Sequence, residues 1–151
     1  MRRGGFLVVA GLLGVAIFGL GAAIVQAQQC SKADFEAVVD EAAGALTELT
    51  RQNTPPFQGK LRQLKGKRGW SDDQFVKEAE PLVRDDKIAG FDQKSEDLLL
   101  RITSGGQSGA ADGPPDCKLV AELRAVMQSL LETQKAKWAY MFERIEAELR
   151  K

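Results

Sequence analysis

Residues 117–150 read CKLVAELRAVMQSLLETQKAKWAYMFERIEAELR. Val120, Leu123, Met127, Leu130, Leu131, Trp138, Met141, Phe142, Ile145 and Leu149 recur there at helical spacing, with charged side chains on the remaining faces. Gln134 is the one polar residue on that stripe. A strand would need period-two alternation, which no segment of the chain sustains. About 33 residues of helix extend roughly 50 Å. One helix cannot bury a stripe that long by itself, so it needs helical neighbours of similar length.

Those neighbours lie upstream. Residues 104–116 are rich in Gly, Ser and Pro, without apolar periodicity, and are expected to be a flexible loop ending in Asp116 as a helix cap. Ser71 with Gln74 is a start signal. Phe75, Val76, Ala79, Leu82 and Val83 follow, then Ile88, Phe91, Leu98, Leu99 and Ile102. Pro81 and Gly90 interrupt this pattern, which predicts one kinked helix or two abutting ones from Ser71 to about Thr103. Ser31 with Asp34 opens a further helix carrying Phe35, Val38, Val39, Ala42, Leu46 and Leu49. Asn53-Thr54-Pro55-Pro56 is expected to stop it near Gln52. A short helix with Phe57, Leu61 and Leu64 then leads to Gly66 and Gly69. The expected fold is all-α, an elongated bundle of about four helices. A long antiparallel hairpin packs against an N-terminal helical layer broken at Pro55-Pro56.

Arg2 and Arg3 precede a run from Phe6 to Val25 without a charged or amide side chain, and Val25-Gln26-Ala27 fits a cleavage site. This is the layout of a secretory signal peptide over residues 1–27. The run is also just long enough to remain as an uncleaved membrane anchor, although Gly11, Gly14, Gly19 and Gly21 lower its hydrophobicity. In both cases residues 28–151 form a single domain outside the cytoplasm, periplasmic or secreted, or held at the inner membrane. Gln28-Gln29 before Cys30 does not suit a lipoprotein signal, and the arginine pair lacks the pattern of a twin-arginine signal. Cys30 and Cys117 are the only cysteines; an oxidising compartment and an even count favour a disulfide between them. Such a bond places the starts of the first and last helices side by side.

The chain of 151 residues, 44% apolar, suffices for one core. Its 21 basic and 21 acidic side chains give no global field directed at nucleic acid. Without Arg2 and Arg3 the basic count falls to 19, a net charge of −2. The chain contains no histidine, which removes Ser-His-Asp and Cys-His catalysis and histidine-ligated metal or haem. Two cysteines 87 positions apart make neither a four-cysteine zinc site nor a CxxC redox centre.

The clearest local oddity is basic. Arg51, Lys60, Arg62, Lys65, Lys67 and Arg68 occur with no acid between Arg51 and Trp70. They are a candidate face for an anionic partner. The competing expectation is internal balance against residues 72–97, which hold nine acids and four bases. Asp85 to Glu96 has the length of a calcium loop with Gly90 sixth, but Lys87 and Ala89 stand where ligands are needed. The aromatic cluster Trp138, Tyr140 and Phe142 is a candidate for an apolar ligand; the competing expectation places Trp138 and Phe142 in the core and Tyr140 at the surface. The adjacent acids Asp72-Asp73 and Asp85-Asp86 point about 100° apart on a helix and do not converge for acid–base work.

The layout resembles small periplasmic helical-hairpin proteins of the stress-chaperone and metal-sensor kind. Their repeated Leu-Thr-x-x-Gln motif is represented only by Leu49-Thr50-Arg51-Gln52, one residue short, and no functional residue carries over. The expected function is a non-enzymatic envelope protein that binds or scaffolds another protein, with chaperone-like action as a special case. The alternative is a single-pass membrane-anchored subunit of an envelope complex. Neither reading needs a cofactor, a metal or nucleic acid, and the membrane enters only through residues 1–27 if they are uncleaved.

Overall fold

The apolar stripe of the C-terminal region forms one uninterrupted helix in the computed structural model, which describes residues 30–111 and 114–151. The helices are α1 (Lys32–Arg68), α2 (Asp72–Val83), α3 (Asp86–Ala110) and α4 (Cys117–Arg150), and the described residues contain no strand. The expected all-α bundle is present. Cys30 and Cys117 are joined at one pole, while Arg68 reaches Glu148 at the other, so α1 and α4 run parallel. α3 runs antiparallel to both: Gly105 meets Leu123 near the disulfide pole, and Asp85 pairs with Arg144 towards the distal pole. α2 and α3 together hold as many residues as the 37 of α1, so one long helix faces two shorter ones.

Local chemistry sets the boundaries. The Asp34 carboxylate accepts from the Ser31 backbone N–H at 2.7 Å and from its hydroxyl at 2.9 Å. Ser71 caps α2, Asp85 caps α3 through the Ile88 N–H at 2.7 Å, and Asp116 caps α4 through Lys118 and Leu119. Gly69 ends α1 in the left-handed region, at φ 64°, and Trp70 N–H returns to the Lys65 carbonyl. This is the turn that sends the chain back from the distal pole.

Three boundaries differ from the sequence reading. First, α1 passes straight through Pro55-Pro56, so its layer is not broken. The prolines leave the carbonyls of Arg51 and Gln52 without helical donors, but these four residues are all exposed. Val38 and Ala42 before the prolines, and Phe57 and Leu64 after them, are buried and hold both halves in place. Second, the chain breaks at Arg84-Asp85 rather than at Pro81 or Gly90. Pro81 lies inside α2 and Gly90 inside α3, and capping by Asp85 defines the new start. Third, α3 continues to Ala110, so residues 104–110 of the expected 104–116 loop are helical. Ser104 and Ser108 donate to carbonyls four residues back. Gly105, Gly106 and Gly109 supply a face without side chains onto which Leu123, Val39 and Phe35 pack.

The interior is divided. Near the disulfide, Phe35, Val38, Ala42, Leu98, Ile102, Val120, Leu123, Val126 and Leu130 form one core. At the distal pole Phe57, Leu64, Leu82, Ile88, Met141 and Ile145 form another. Between them lies a polar waist. Gln134 Nε2 donates to the buried Ser95 Oγ at 2.7 Å, Ser95 donates to the Phe91 carbonyl at 2.8 Å, and the buried Thr133 donates to the Ser129 carbonyl at 2.7 Å. Every buried side-chain polar atom among the described residues has a hydrogen-bond partner.

Candidate functional site

At the waist, α1 contributes no fully buried side chain from residue 43 to residue 56. The helices are held by the cores on either side, and the gap becomes a groove of about 480 Å³ between α1 and α4. Phe57, Leu61, Trp138 and Met141 make its apolar wall, and Val83 closes it from the end of α2. Thr50, Thr54, Gln134 and Lys137 supply hydrogen-bonding groups. In this wall Phe57 meets Trp138 edge-on, centroids 5.9 Å apart, and Phe142 likewise at 5.4 Å. Lys137 is ion-paired with Asp92 of α3, so the groove carries no uncompensated charge from this lysine.

The second feature is the elbow between α2 and α3. Asp85 accepts hydrogen bonds from Ile88 N–H and Tyr140 O–H, the latter at 2.8 Å, and pairs with Arg144. The Ile88 amide foremost, then the Tyr140 hydroxyl and the Arg144 charge, hold its carboxyl below the usual aspartate value. The hydrogen bond to Asp85 foremost, then burial and the carboxylate charge, in turn push the Tyr140 phenol upward. Lys87 Nζ lies 4.1 Å from the Tyr140 ring centroid, and Arg144 covers the same ring at 5.6 Å. Tyr140 is therefore half-buried, not the surface residue expected from the stripe. The sequence signal for this elbow was present: Asp85 stands at capping distance from Ile88, and Tyr140 and Arg144 are one helical turn apart.

Five of the six basic residues are engaged by partners on different elements. Lys60 pairs with Glu146 at 2.9 Å, Arg68 with Glu148 at 3.2 Å, and Lys67 donates to the Leu149 carbonyl at 2.6 Å. Lys65 pairs with Asp72, the one acid of 72–97 that meets the run in a direct ion pair. Arg51 is turned back onto Glu48 of its own helix, and its hydrogen bonds bring the Glu48 carboxyl down to about 2. Arg62 is exposed. The acids opposite the run thus come chiefly from the last turns of α4. Parallel packing carries α1 and α4 to the same pole, and basic side chains there also suit the negative end of the α4 dipole.

The remaining candidates take structural positions. Residues 86–96 are helical, so the calcium-loop spacing does not form a loop. Among the described residues, no three His, Cys, Asp or Glu side chains gather into a group that could hold a metal ion. Asp72 turns to Lys65 and Asp85 to α4, while their neighbours Asp73 and Asp86 are exposed. Among the described residues no helix is long and apolar enough to cross a membrane; residues 1–27, with the expected signal or anchor, lie outside them. Comparison with protein-family models, with curated proteins and with solved structures finds no match to this chain.

Proposed function

We propose that this is an exported, non-enzymatic helical protein that binds another envelope protein through the distal half of its bundle. The groove at the waist carries the reading: an aromatic wall beside hydrogen-bonding side chains is the composition of a recognition surface. The Cys30–Cys117 bond supports an oxidising compartment. The separate engagements of Asp72 and Asp85 support a role without acid–base chemistry.

Site-specific photo-crosslinking in intact cells tests this. A crosslinker at Gln58, on the groove, is expected to trap a discrete protein species, and one at Lys118, at the disulfide pole, is not. Equal labelling from both positions, or none from either, would overturn the reading. The anchored-subunit alternative is favoured by the apolar run from Phe6 to Val25. It requires a chain with intact Met1 or Arg2 in washed membranes, whereas cleavage leaves a protein beginning at Gln28 in the soluble envelope fraction.

A further inference from the structure

α2 packs against the other helices over the smallest area, mainly on α4. It buries Ala79 and Leu82 of its 12 residues, and Val76 on its outer side is 73% exposed. Short connections bound it on both sides, Gly69 to Ser71 before it and Arg84-Asp85 after it. Beneath it lies the distal core, to which α1 contributes Phe57 and Leu64, α4 contributes Met141 and Ile145, and α3 contributes Ile88. Leu82 is the one large side chain that α2 inserts there in full.

The contacts at its two ends are ionic and directional. α2 carries Asp72, Asp73, Glu78 and Glu80 against Lys77 alone. Lys65 of α1 pairs with Asp72 in the first turn and lies 5.7 Å from the Phe75 ring centroid. Arg144 of α4 takes the Pro81 carbonyl in the last turn, which has no basic residue of its own. A cation thus meets the acidic start of the helix and another its carbonyl end, which fixes helix direction as well as charge. Arg144 also pairs with Asp85, which accepts from the Tyr140 hydroxyl as well, so the start of α3 has contacts to α4 that do not pass through α2.

We propose that the α1/α4 face beneath α2 docks a partner protein, and that the partner presents an acidic amphipathic helix that takes the place of α2. This rests on the partner-binding reading above. The partner helix has an acid in its first turn, an aromatic three residues later and a leucine seven residues beyond that, the spacing of Asp72, Phe75 and Leu82. α2 competes as a tethered ligand, so the apparent affinity of the partner falls with the fraction of molecules in which α2 is displaced.

The test uses protein produced from the full chain and a fluorescent peptide with the sequence of residues 71–84. Leu82→Ala should weaken the tethered helix and tighten peptide binding at least tenfold relative to the unaltered protein. Asp72→Asn, which leaves the core intact, should tighten it about two- to fivefold. The same peptide with Leu82→Asp should not bind. Equal affinity across all three proteins would place the peptide elsewhere. Absence of binding to both variants, with α1, α3 and α4 still protected from hydrogen exchange, would also overturn the proposal. Should Leu82→Ala fail to fold, Asp72→Asn decides. Preferential displacement of the peptide by anionic vesicles would assign the face to lipid instead. Crosslinking from Gln58 is independent of these outcomes, so a failed peptide test leaves the broader reading distinguishable.

Discussion

Gly109 of α3 and Phe35 of α1 share one volume: a Cβ on Gly109 would stand 2.0 Å from Phe35 Cε1. Gly44 and Gly90 are also inside helices, yet a Cβ on either meets nothing within 4 Å. The same substitution should therefore change sign with position. Gly44→Ala and Gly90→Ala should each stabilise the protein by up to about 1 kcal/mol through helix propensity. Gly109→Ala should destabilise it by about 1–3 kcal/mol, because Phe35 is fully buried and must move. Urea midpoints at matched slope measure all three, and equal gains would show that α1 and α3 do not approach this closely.

Much of the architecture was legible because burial and periodicity agree. Phe35, Val38 and Ala42 in α1, and Val120, Leu123, Leu130, Met141 and Ile145 in α4, are buried as their spacing requires. The closure argument from Cys30 and Cys117 likewise gives the observed parallel order of α1 and α4. What misled was composition without context. Pro55-Pro56 and the Gly/Ser stretch at 104–110 read as breaks, but neighbouring helices override weak local propensity. Val76 continued the α2 stripe and is nevertheless exposed, since a 12-residue helix at a pole has neighbours on one narrow side only. The site was less legible. Spacing marks the apolar wall, Phe57, Leu61, Trp138 and Met141, but the groove itself follows from the lack of buried side chains on α1 between residues 43 and 56, and spacing places Leu46 and Leu49 on the buried stripe there.

Pro55 and Pro56 lie within a continuous helix, and each removes one backbone donor. Proline in a helix interior costs about 3 kcal/mol relative to alanine, partly offset by about 0.4–1 kcal/mol through a stiffer unfolded chain. Exchanging both for alanine should raise stability by at least about 1 kcal/mol. A loss of stability would mean that the layer is broken there after all. Circular dichroism at 222 nm should meanwhile stay nearly constant, because the residues are helical already.

The Cys30–Cys117 bond closes a loop with its ends 87 positions apart. Chain entropy assigns such a loop up to about 4–5 kcal/mol. Non-reducing peptide mapping should join the two cysteines, and Cys117→Ser should cost a few kcal/mol. Hydrogen exchange should rise first around residues 30–39. Two freely alkylated thiols in native protein would remove the bond and its contribution together.

Tyr140 is the only tyrosine of the chain, so absorbance at 295 nm reports its ionisation alone. Its phenol donates to Asp85, which raises its pKa above the ordinary value of 10.0. Asp85→Asn should bring the titration back towards that value. The linked stability terms have opposite signs. Asp85 is depressed in the folded state, so its contribution is present above about pH 3.8 and lost as pH falls through the folded value. The Tyr140 contribution is present below pH 10.0 and lost as pH rises through the elevated value. An unchanged tyrosine titration in Asp85→Asn would dissolve the elbow contact.

The basic run gives the last prediction. Changing Lys60, Lys65 and Lys67 to Gln removes three cations whose partners are Glu146, Asp72 and the Leu149 carbonyl. Each is already engaged within the protein, and exposed charges are screened over about 10 Å at 0.1 M salt. The protein should therefore show no specific attachment to anionic vesicles at that ionic strength, and the triple change should leave this result unaltered. Stability discriminates poorly, since surface pairs contribute little whether or not the face has a partner. Binding measured across a salt series does discriminate. An attachment that weakens as salt rises and disappears in the triple variant would make residues 51–68 a face for an anionic partner. Its centre would then be Arg62, the exposed cation between Lys60 and Lys65.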